Sequence, residues 1–447
     1  MKNYIDNMSF HQKLTKNREQ RTALRDHNEL GADAPPLTPS DGGRRLSKRV
    51  LSWGRGQRQP QASGEVPVLG VLFSAPLVCT DPSGQVVPMD MLDFEKERAL
   101  ICDSMREARR NLRVRFEHAT TDRLRTLVTL GQCVGLHYSG HGDPNVLSME
   151  DGRGNAHFVR VPALKKLLQA GNLASLRFVF VSACFSEAAA QAFVDAGVPH
   201  VVAVRVNTRV SDHAAHAFTR AFYLSLAVGQ TIREAFDIGV QAVINAPNVP
   251  AGEVEGDKFL LLGPGAHDEK AFPALAPVEA WQPPVPPAAQ LQQPLPAKAE
   301  AFLGRNVETY RVITGVLDRR LVTVTGPPGV GKSAVAIAAI NYLAERHYYS
   351  DGVVYIECAA AREIDGLCTF LRTQLCHLAP NAPAAEARVT GLAALRAAIA
   401  PLQGLHCLLV LDGVRADLTE EPLFTEFLSL LLSFGRVRTL LTAVSPV

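Results

Sequence analysis

Two stretches of the sequence decide the fold: LHYSGHGD at Leu136–Asp143 and FVFVSACFS at Phe178–Ser186. Each begins with the apolar residues of a buried strand and ends in small and polar residues. The carboxyl ends of adjacent parallel strands meet at one edge of a sheet, with about 4.8 Å between the strands. We therefore expect His141 and Cys184 to lie close together at such an edge.

Strands and helices alternate along the chain on both sides of these stretches. Further strand patterns lie at 66–78, 112–116, 200–206 and 258–262, helix patterns at 94–110, 122–130, 163–170, 187–196, 212–227 and 232–243, and a hairpin pattern at 145–159. This order is typical of an α/β domain, in which a mostly parallel sheet has helices on both faces. The predicted fold class is therefore α/β, and a second α/β unit begins near Phe302.

Composition divides the chain into four segments. Residues 1–63 are polar and turn-rich, and we expect a disordered basic tail. Residues 64–267 hold the first α/β domain. Eight prolines between Pro273 and Pro296 predict a semi-rigid, extended linker over 268–298 rather than a core. The second α/β domain is expected over 299–447.

The charge distribution argues against nucleic acid as a partner. Residues 1–64 carry 12 Lys/Arg and 6 Asp/Glu, so the rest of the chain carries 34 and 38 and is mildly acidic. A domain built around a polyanion is basic instead.

The apolar stretches and the cysteines indicate the environment of the protein. Runs such as Ala334–Ile340 are far shorter than the roughly 20 residues of a membrane span. The eight cysteines are scattered without a C-x-x-C pair, and the N-terminus lacks an apolar signal core. We expect a cytoplasmic protein with neither a structural zinc ion nor a membrane partner.

The residues at the predicted sheet edge have the chemistry of a thiol nucleophile. Cys184 can attack a carbonyl carbon, and His141 can accept and return the proton of the thiol. The adjacent glycines leave room for a substrate backbone, and the Gly142 N–H can point at a developing oxyanion. A single cysteine after an apolar strand is usually a core residue, so the interpretation depends on the pairing of the two motifs. His137, which lies inside its strand, is interpreted as structural.

Two acidic residues are candidates for binding a basic substrate side chain, namely Asp143 and Asp212. The alternatives are a turn role for Asp143 and a helix cap at Asp212, and the sequence supports each alternative at least as well as a role toward the substrate.

A phosphate-binding loop follows the strand-like run 321–325. GPPGVGKS at Gly326–Ser333 has the spacing G-x-x-x-x-G-K-S and leads into a helical run. Its backbone N–H groups and the helix N-terminus can surround a phosphate. Lys332 is expected to contact the β- and γ-phosphates, and the Ser333 hydroxyl to ligate Mg²⁺. The predicted nucleotide contacts in this loop are Gly326, Gly329, Val330, Gly331, Lys332, Ser333 and Ala334.

Asp412 completes the predicted metal site. It ends the apolar run 407–411, where an acid can hold Mg²⁺ through water. The alternative is an ordinary turn with Gly413. The predicted cofactors are therefore ATP or ADP with Mg²⁺.

The first domain resembles the CHAT domain, a caspase-like, separase-related family of cysteine peptidases. The resemblance spans about residues 64–264 and depends mainly on S-G-H-G and S-A-C-x-S. It implies a cysteine-type endopeptidase that acts on a protein or peptide through a His/Cys dyad. His141 is then the general acid/base, Cys184 the nucleophile, and the Gly142 N–H an oxyanion donor together with the Cys184 amide.

The second domain resembles the signal-transduction ATPases with numerous domains (STAND), which include the NB-ARC switches. FLGR at Phe302–Arg305 is similar to their F-x-G-R segment near the adenine, which makes Arg305 a nucleotide contact. The chain has Gly413 in place of a common second acid, and Ala443 and Val444 in place of a polar residue and an arginine. These differences predict slow or no hydrolysis. The family's helical and winged-helix lid has no counterpart, so we interpret the domain as a nucleotide switch, intact or truncated.

Together these features predict a cysteine endopeptidase regulated by an ATP-binding switch in intracellular signalling. Nucleotide exchange or self-oligomerisation of the second domain would concentrate or release the first. The alternative is a non-enzymatic nucleotide-binding scaffold with a peptidase-like interaction module. A plain ATPase is disfavoured by Gly413 and the missing arginine.

Overall fold

The computed structural model describes residues 66–130, 133–205, 208–272, 275–284, 294–299, 302–375 and 391–446. The predicted basic tail, residues 1–63, lies outside this part of the chain. The described residues from Val66 to Asp81 and from Gln85 onward belong to one compact unit. No helix in the described ranges is both long and apolar enough to cross a bilayer.

The first half of the chain contains a six-stranded sheet. Its strands are β1 (Val68–Phe73), β4 (Arg113–His118), β5 (Gly135–Ser139), β9 (Phe178–Ser182), β10 (His200–Val204) and β11 (Phe259–Leu262). Their order is β11-β10-β9-β5-β1-β4, and all neighbours are parallel except β11 and β10. Two smaller antiparallel sheets contain β2 (Val78–Thr80) with β3 (Val86–Pro88), and β6 (Gly142–Asp143), β7 (Val146–Glu150) and β8 (Ala156–Arg160).

Helices cover both faces of the six-stranded sheet. They are α1 (Phe94–Ala108), α2 (Thr121–Leu130), α3 (Val161–Gln169), α4 (Glu187–Asp195), α5 (Asp212–Ala227), α6 (Ile232–Ile244) and the short α7 (Gly252–Gly256). In β9, Phe178 and Phe180 join the core with α1, α5 and α6, whereas Val179 and Val181 join the core with α2, α3 and α4. This alternation follows the two-residue period of a strand. The predicted mostly parallel sheet with helices on both faces is confirmed.

The second half contains a four-stranded parallel sheet. Its strands are β12 (Leu321–Thr325), β13 (Gly352–Glu357), β14 (Cys407–Val414) and β15 (Arg438–Ala443), in the order β12-β15-β14-β13. Its helices are α8 (Asn306–Asp318), α9 (Lys332–Glu345), α10 (Ile364–Leu375), α11 (Gly391–Ile399), α12 (Ala416–Thr419) and α13 (Pro422–Ser433), with a 3₁₀ turn at Ala400–Leu402. Helices α8 and α9 pack on one face, and α10, α11 and α13 on the other. This unit is the second α/β domain that the sequence predicts.

The two halves share one apolar core. Leu77 and Val78 of the first half belong to the same core as Val312 and Ile313 of α8 and Ile340 of α9. Val78, Ile313 and Ile340 are completely buried. Removing such side chains from water stabilises the folded state by about 1.5–3 kcal/mol each. The halves are therefore joined by packing as well as by the chain that connects them.

A buried ion pair lies beside this shared core. The Arg346 guanidinium donates to both carboxylate oxygens of Glu150, at 2.8 and 2.9 Å. Glu150 also accepts from the Tyr342 hydroxyl at 3.0 Å and the Ala75 N–H at 2.8 Å. Burial alone raises the pKa of Glu150, but the Arg346 charge and these hydrogen bonds outweigh burial and hold the pKa below its usual range. The pair therefore stays ionised across the junction between the halves.

The segment 268–284 differs from the predicted linker. Phe272 and Trp281 are buried in the core of the first half, and the Trp281 indole donates to the Leu112 carbonyl at 2.7 Å. The Asn111 N–H donates to the Ala276 carbonyl at 2.8 Å. The proline count predicts an exposed chain, but the aromatic rings between the prolines supply the apolar surface that holds it in place. Residues 273–274 and 285–293 of this segment lie outside the described residues.

Replacing Arg346 by methionine leaves the Glu150 carboxylate buried without its partner. We expect Arg346→Met to lose about 3–5 kcal/mol of unfolding free energy, measured by urea denaturation with circular dichroism. Adding Glu150→Gln should restore most of that loss, because no unpaired charge is then buried. The exposed pair of Arg153 with Asp318 is the control, and Arg153→Met should lose less than about 1 kcal/mol. Equal losses in the two single variants would contradict the prediction.

His118 beside this ion pair predicts a loss of stability in mild acid. Burial, followed by the Arg346 charge, lowers the pKa of His118 from 6.5 to about 4. Between these values the unfolded chain binds a proton that the folded chain does not, so stability falls as the pH falls. His118→Gln should remove about 2 kcal/mol of the decrease in unfolding free energy between about pH 7 and about pH 5.

The control for this prediction is the exposed histidine His157. Its glutamine variant should keep the pH dependence of the unchanged protein in the same denaturation series. A His118→Gln variant with that same dependence would show that His118 does not supply the acid sensitivity.

Candidate functional site

The register between β5 and β9 brings the two sequence motifs to one edge of the sheet. Ser139, the last residue of β5, pairs with Ser182, the last residue of β9. His141 and Cys184 each lie two residues beyond this pair, so they leave the sheet at the same level. Both are partly exposed to solvent. The edge position that the sequence predicts for them is the one observed.

Gly142 approaches the backbone of Cys184 closely. A Cβ atom on Gly142 would lie 2.2 Å from the Cys184 carbonyl oxygen and 3.2 Å from the Ala183 side chain. Only glycine fits at that distance. The two loops that follow the paired strands therefore touch through their backbones at Gly142. Gly142 is also the residue whose N–H is expected to be an oxyanion donor.

The His141 ring is oriented by a backbone group. Its Nε2 lies 2.8 Å from the Asp90 carbonyl oxygen. A carbonyl only accepts, so Nε2 carries a proton, and the second nitrogen, Nδ1, is the one that has a lone pair whenever the ring holds a single proton. Among the described residues, the Cys184 thiol makes no hydrogen bond with this ring. Nδ1 is therefore the atom that can accept a proton during a reaction, and catalytic hydrogen bonds often tighten only when substrate binds.

A buried carboxylate lies beneath the two motifs. Glu97 of α1 accepts hydrogen bonds from the Ser139 hydroxyl and, at 3.4 Å, from the Ser182 hydroxyl. The His137 Nε2 lies 3.1 Å from the same carboxylate, and its Nδ1 lies 2.9 Å from the Tyr223 hydroxyl. Burial raises the pKa of Glu97, but its contacts with His137 and Ser139 outweigh burial and lower the pKa overall. His137 is thus part of the structural support, as its position in the strand predicts.

Sequence reasoning did not identify Glu97 or Asp90, although one of them has a detectable signal. Glu97 lies on the buried stripe of α1, four residues before Ile101 and eight before Met105. A charged residue on an apolar stripe indicates a buried partner. Asp90 contributes a backbone carbonyl, which no residue pattern reveals.

The backbone beside Cys184 adopts a rare conformation. Phe185 has a φ of 55°, in the left-handed region that residues other than glycine seldom occupy. Its ring faces the Arg209 guanidinium, 5.9 Å from the ring centroid. Such conformations concentrate at functional sites, where surrounding contacts maintain them.

The two candidate specificity residues are both exposed. Asp143 belongs to β6 and pairs with Val146, at the tight connection into β7. Asp212 is the first residue of α5, and the cap is Ser211, whose side chain accepts from the Ala214 N–H. The cap role considered for Asp212 is therefore wrong, whereas its role toward a substrate stays a prediction.

The glycine loop has the geometry of a phosphate site. Gly326, Gly329 and Gly331 have φ values of 154°, 80° and 94°. Helix α9 begins directly after Gly331 without a side-chain cap or an acidic residue in its first turn, so its N–H groups are available to an anion. Lys332 Nζ donates to the Gly326 and Pro327 carbonyls at 2.9 and 3.0 Å. The residues present fit a phosphate group, with Ser333 exposed and Val330 and Ala334 beside it.

Asp412 is buried in β14, which β15 separates from the strand that leads into the glycine loop. Its Oδ2 accepts from the Tyr355 hydroxyl at 2.7 Å, and its Oδ1 accepts from the Thr442 hydroxyl. Strand β14 continues past it to Val414 with an irregular register, so the alternative of a simple turn at Gly413 is not observed. No cluster of three or more metal-binding side chains occurs in the described ranges. A Mg²⁺ ion here would need phosphate and water oxygens in addition to Ser333 and Asp412.

Arg305 lies next to the glycine loop, as its predicted role requires. Its Nη2 donates to the Val330 carbonyl at 3.4 Å, and its Nη1 pairs with Glu308 at 3.0 Å. The predicted nucleotide residues thus gather around α9 and β14, in the second half. The predicted thiol residues gather at the edge of β5 and β9, in the first half.

Solved structures with some likeness to this chain have low similarity scores. Cdc6p from Pyrobaculum aerophilum has 16% identity over 35% of this chain and 42% of its own, with a TM-score of 0.28. The Arg-specific cysteine proteinase gingipain R has 15% identity over 44% and 46%, with a TM-score of 0.31. The complex of RgpB pro- and mature domains from Porphyromonas gingivalis has 15% identity over 44% and 47%, with a TM-score of 0.30.

This chain spans less than half the length of each of these structures. At such TM-scores the likenesses have no bearing on its fold or activity. No curated protein matches the chain.

Two family models match the chain, one in each half. Residues 316–444, which include Lys332 and Asp412, match the AAA domain model. Residues 37–273, which include His141 and Cys184 and make up more than half of the chain, match the CHAT domain model. The finer assignment of the second half to the NB-ARC switches stays a prediction. The chain belongs to the CHAT domain family.

Proposed function

We propose that this protein is a cysteine-type endopeptidase in which Cys184 is the nucleophile and His141 the general acid/base. The observation that supports this most is the shared register of the two residues beyond Ser139 and Ser182. The Asp90 carbonyl adds support, because it leaves His141 Nδ1 as the proton acceptor. The proposed substrate is a protein or peptide.

The proposed reaction follows from these groups. The Cys184 sulfur bonds to the scissile carbonyl carbon while His141 takes the thiol proton. The carbonyl oxygen gains negative charge, which the Gly142 and Cys184 N–H groups would stabilise. His141 then gives its proton to the leaving amine, the carbon–nitrogen bond breaks, and water hydrolyses the thioester to release the acid and the thiol.

We further propose that the second half is an ATP- or ADP-binding switch of the STAND type. Lys332 and the first turn of α9 would hold the phosphates, and Ser333 and Asp412 would hold Mg²⁺ directly and through water. Gly413 supplies no side chain to activate water, so hydrolysis would be slow. Nucleotide exchange, with self-oligomerisation, would regulate the first half in intracellular signalling.

A non-enzymatic scaffold is the second candidate function. The observation that favours it is the missing hydrogen bond between the Cys184 thiol and the His141 ring in the described structure. In that case the first half would only bind a partner protein, and the second half would still bind nucleotide.

The endopeptidase proposal predicts new protein N-termini that depend on Cys184. The purified protein is added to a cell lysate with ATP and Mg²⁺, and new N-termini are quantified by mass spectrometry. Cys184→Ala should abolish them, and His141→Ala should lower their rate of formation at least about 100-fold, because the proton acceptor is lost. Cys79→Ala, which removes another partly exposed thiol, should leave them unchanged.

Two outcomes separate the candidate functions. Identical N-termini with the wild-type protein and Cys184→Ala would refute the endopeptidase and favour the scaffold. N-termini that depend on Cys184 but not on ATP would refute only the regulation by nucleotide and would leave the endopeptidase proposal intact.

The nucleotide site predicts a specific loss of affinity. Lys332→Ala should weaken ATP binding at least about 10-fold, because a charged hydrogen bond to phosphate is lost. Isothermal titration calorimetry measures this affinity in the presence of Mg²⁺. Lys298, an exposed lysine paired with Glu345, is the control, and Lys298→Ala should bind as the wild type does. Unchanged affinity in Lys332→Ala would refute the assignment.

A further inference from the structure

A loop between β3 and α1 connects with His141. The Asp90 carbonyl in this loop accepts the His141 Nε2 hydrogen bond at 2.8 Å. The loop is anchored on one side by the Met89 N–H, which donates to the Leu77 carbonyl at 3.0 Å. On the other side, Asp93 caps α1 with its side chain. The position of the Asp90 carbonyl, and with it the orientation of the His141 imidazole, therefore depends on how firmly the backbone of this loop is held.

Asn306 of the second half holds the same loop. Its Nδ2 donates to the Met89 carbonyl at 3.0 Å, across 217 residues of sequence. The Met89 carbonyl belongs to a planar peptide unit that ends at the Asp90 Cα, so this hydrogen bond fixes the point from which the Asp90 carbonyl projects. Asparagine near a helix start usually caps its own helix. Here the cap position is Arg305, without a side-chain cap bond, and the Asn306 amide holds the loop instead.

The residue before Asn306 contacts the phosphate loop. Arg305 Nη2 donates to the Val330 carbonyl at 3.4 Å. Val330 lies inside GPPGVGKS, in which Lys332 now holds the Gly326 and Pro327 carbonyls. Lys332 would have to release these carbonyls to contact a phosphate, and the loop would then change its internal contacts. A change at Val330 therefore acts on Arg305, and Arg305 and Asn306 share a peptide bond. A continuous chain of contacts leads from the phosphate loop to the imidazole.

We propose that Asn306 is a positioning residue for His141 and couples phosphate binding at Gly326–Ser333 to the orientation of the imidazole. The inference rests on the proposed roles of His141 and of the phosphate loop. When the Met89 carbonyl loses its donor, the Asp90 carbonyl is no longer held in place. The imidazole is then free to rotate, and Nδ1 is no longer held ready to accept the thiol proton.

The test measures how fast iodoacetamide alkylates Cys184 at neutral pH, with mass spectrometry as the readout. Each protein is measured with and without a non-hydrolysable ATP analogue and Mg²⁺. A well-placed imidazole accepts the thiol proton, and the thiolate is the form that reacts. Asn306→Ala should slow alkylation about fivefold. It should also lose the rate change that the analogue causes in the wild type, while calorimetry shows an unchanged affinity for the analogue.

A second variant and a matched control make the result specific. Asn306→Asp keeps the shape but lacks the N–H donor, so it should behave as Asn306→Ala does. Asn341 also donates its amide to a backbone carbonyl, that of Pro296 at 3.0 Å, and Asn341→Ala should behave as the wild type does. The buried thiols Cys102 and Cys407 report on folding in each half. If these buried thiols become labelled in Asn306→Ala, that variant has lost its fold, and the alkylation rate of Asn306→Asp is the result that tests the proposal.

Three results would overturn the proposal. They are a wild-type alkylation rate in both Asn306 variants, an equal loss in Asn341→Ala, and a wild-type protein whose alkylation does not respond to the analogue. Alkylation needs no substrate, so this test is separate from the cleavage experiment. Cleavage that is independent of Cys184 would end the endopeptidase proposal, whereas Cys184-dependent cleavage with unaffected Asn306 variants would end only the coupling.

Discussion

The parallel pairing of β5 with β9 is the constraint on which both the core and the candidate site depend. These strands supply side chains to the cores on both faces of the sheet. A slip of one residue would exchange the two faces. It would also separate Ser139 from Ser182, whose hydroxyls share the Glu97 carboxylate. The register that buries the apolar side chains is therefore the same register that brings His141 level with Cys184.

Two buried carboxylates make this arrangement specific, one below the thiol site and one at the junction of the halves. A buried charge is tolerated only when charged groups and hydrogen bonds surround it. Glu97 has His137 and two serines, and Glu150 has Arg346, Tyr342 and a backbone N–H. Each set comes from distant parts of the chain, so any other arrangement would leave an unpaired charge inside the protein. Breaking either set by removing one partner is therefore costly, whatever the net contribution of the intact set to stability.

Much of the fold could be predicted from the sequence, because strand and helix periods are local properties. The alternation of strands and helices, the edge position of Cys184 and the phosphate loop all follow from short patterns. What could not be predicted depends on tertiary contacts. Trp281 packs into a core although prolines surround it, Ser211 rather than its neighbour caps α5, and Asp90 acts through its backbone. Glu97 is the intermediate case, since its place on an apolar stripe is visible but its partners are not.

The shared core limits how this protein can be divided or recombined. Leu77 and Val78 lie in a core that is otherwise built mainly from α8, α9 and the strands they cover. A fragment that ended before Phe302 would expose these two side chains to water. A fragment that began at Phe302 would expose the apolar surface of the second half that they cover. Either fragment would be prone to aggregate in solution. A fusion that exchanged one half for a foreign domain would therefore have to replace the segment with Leu77 and Val78 as well.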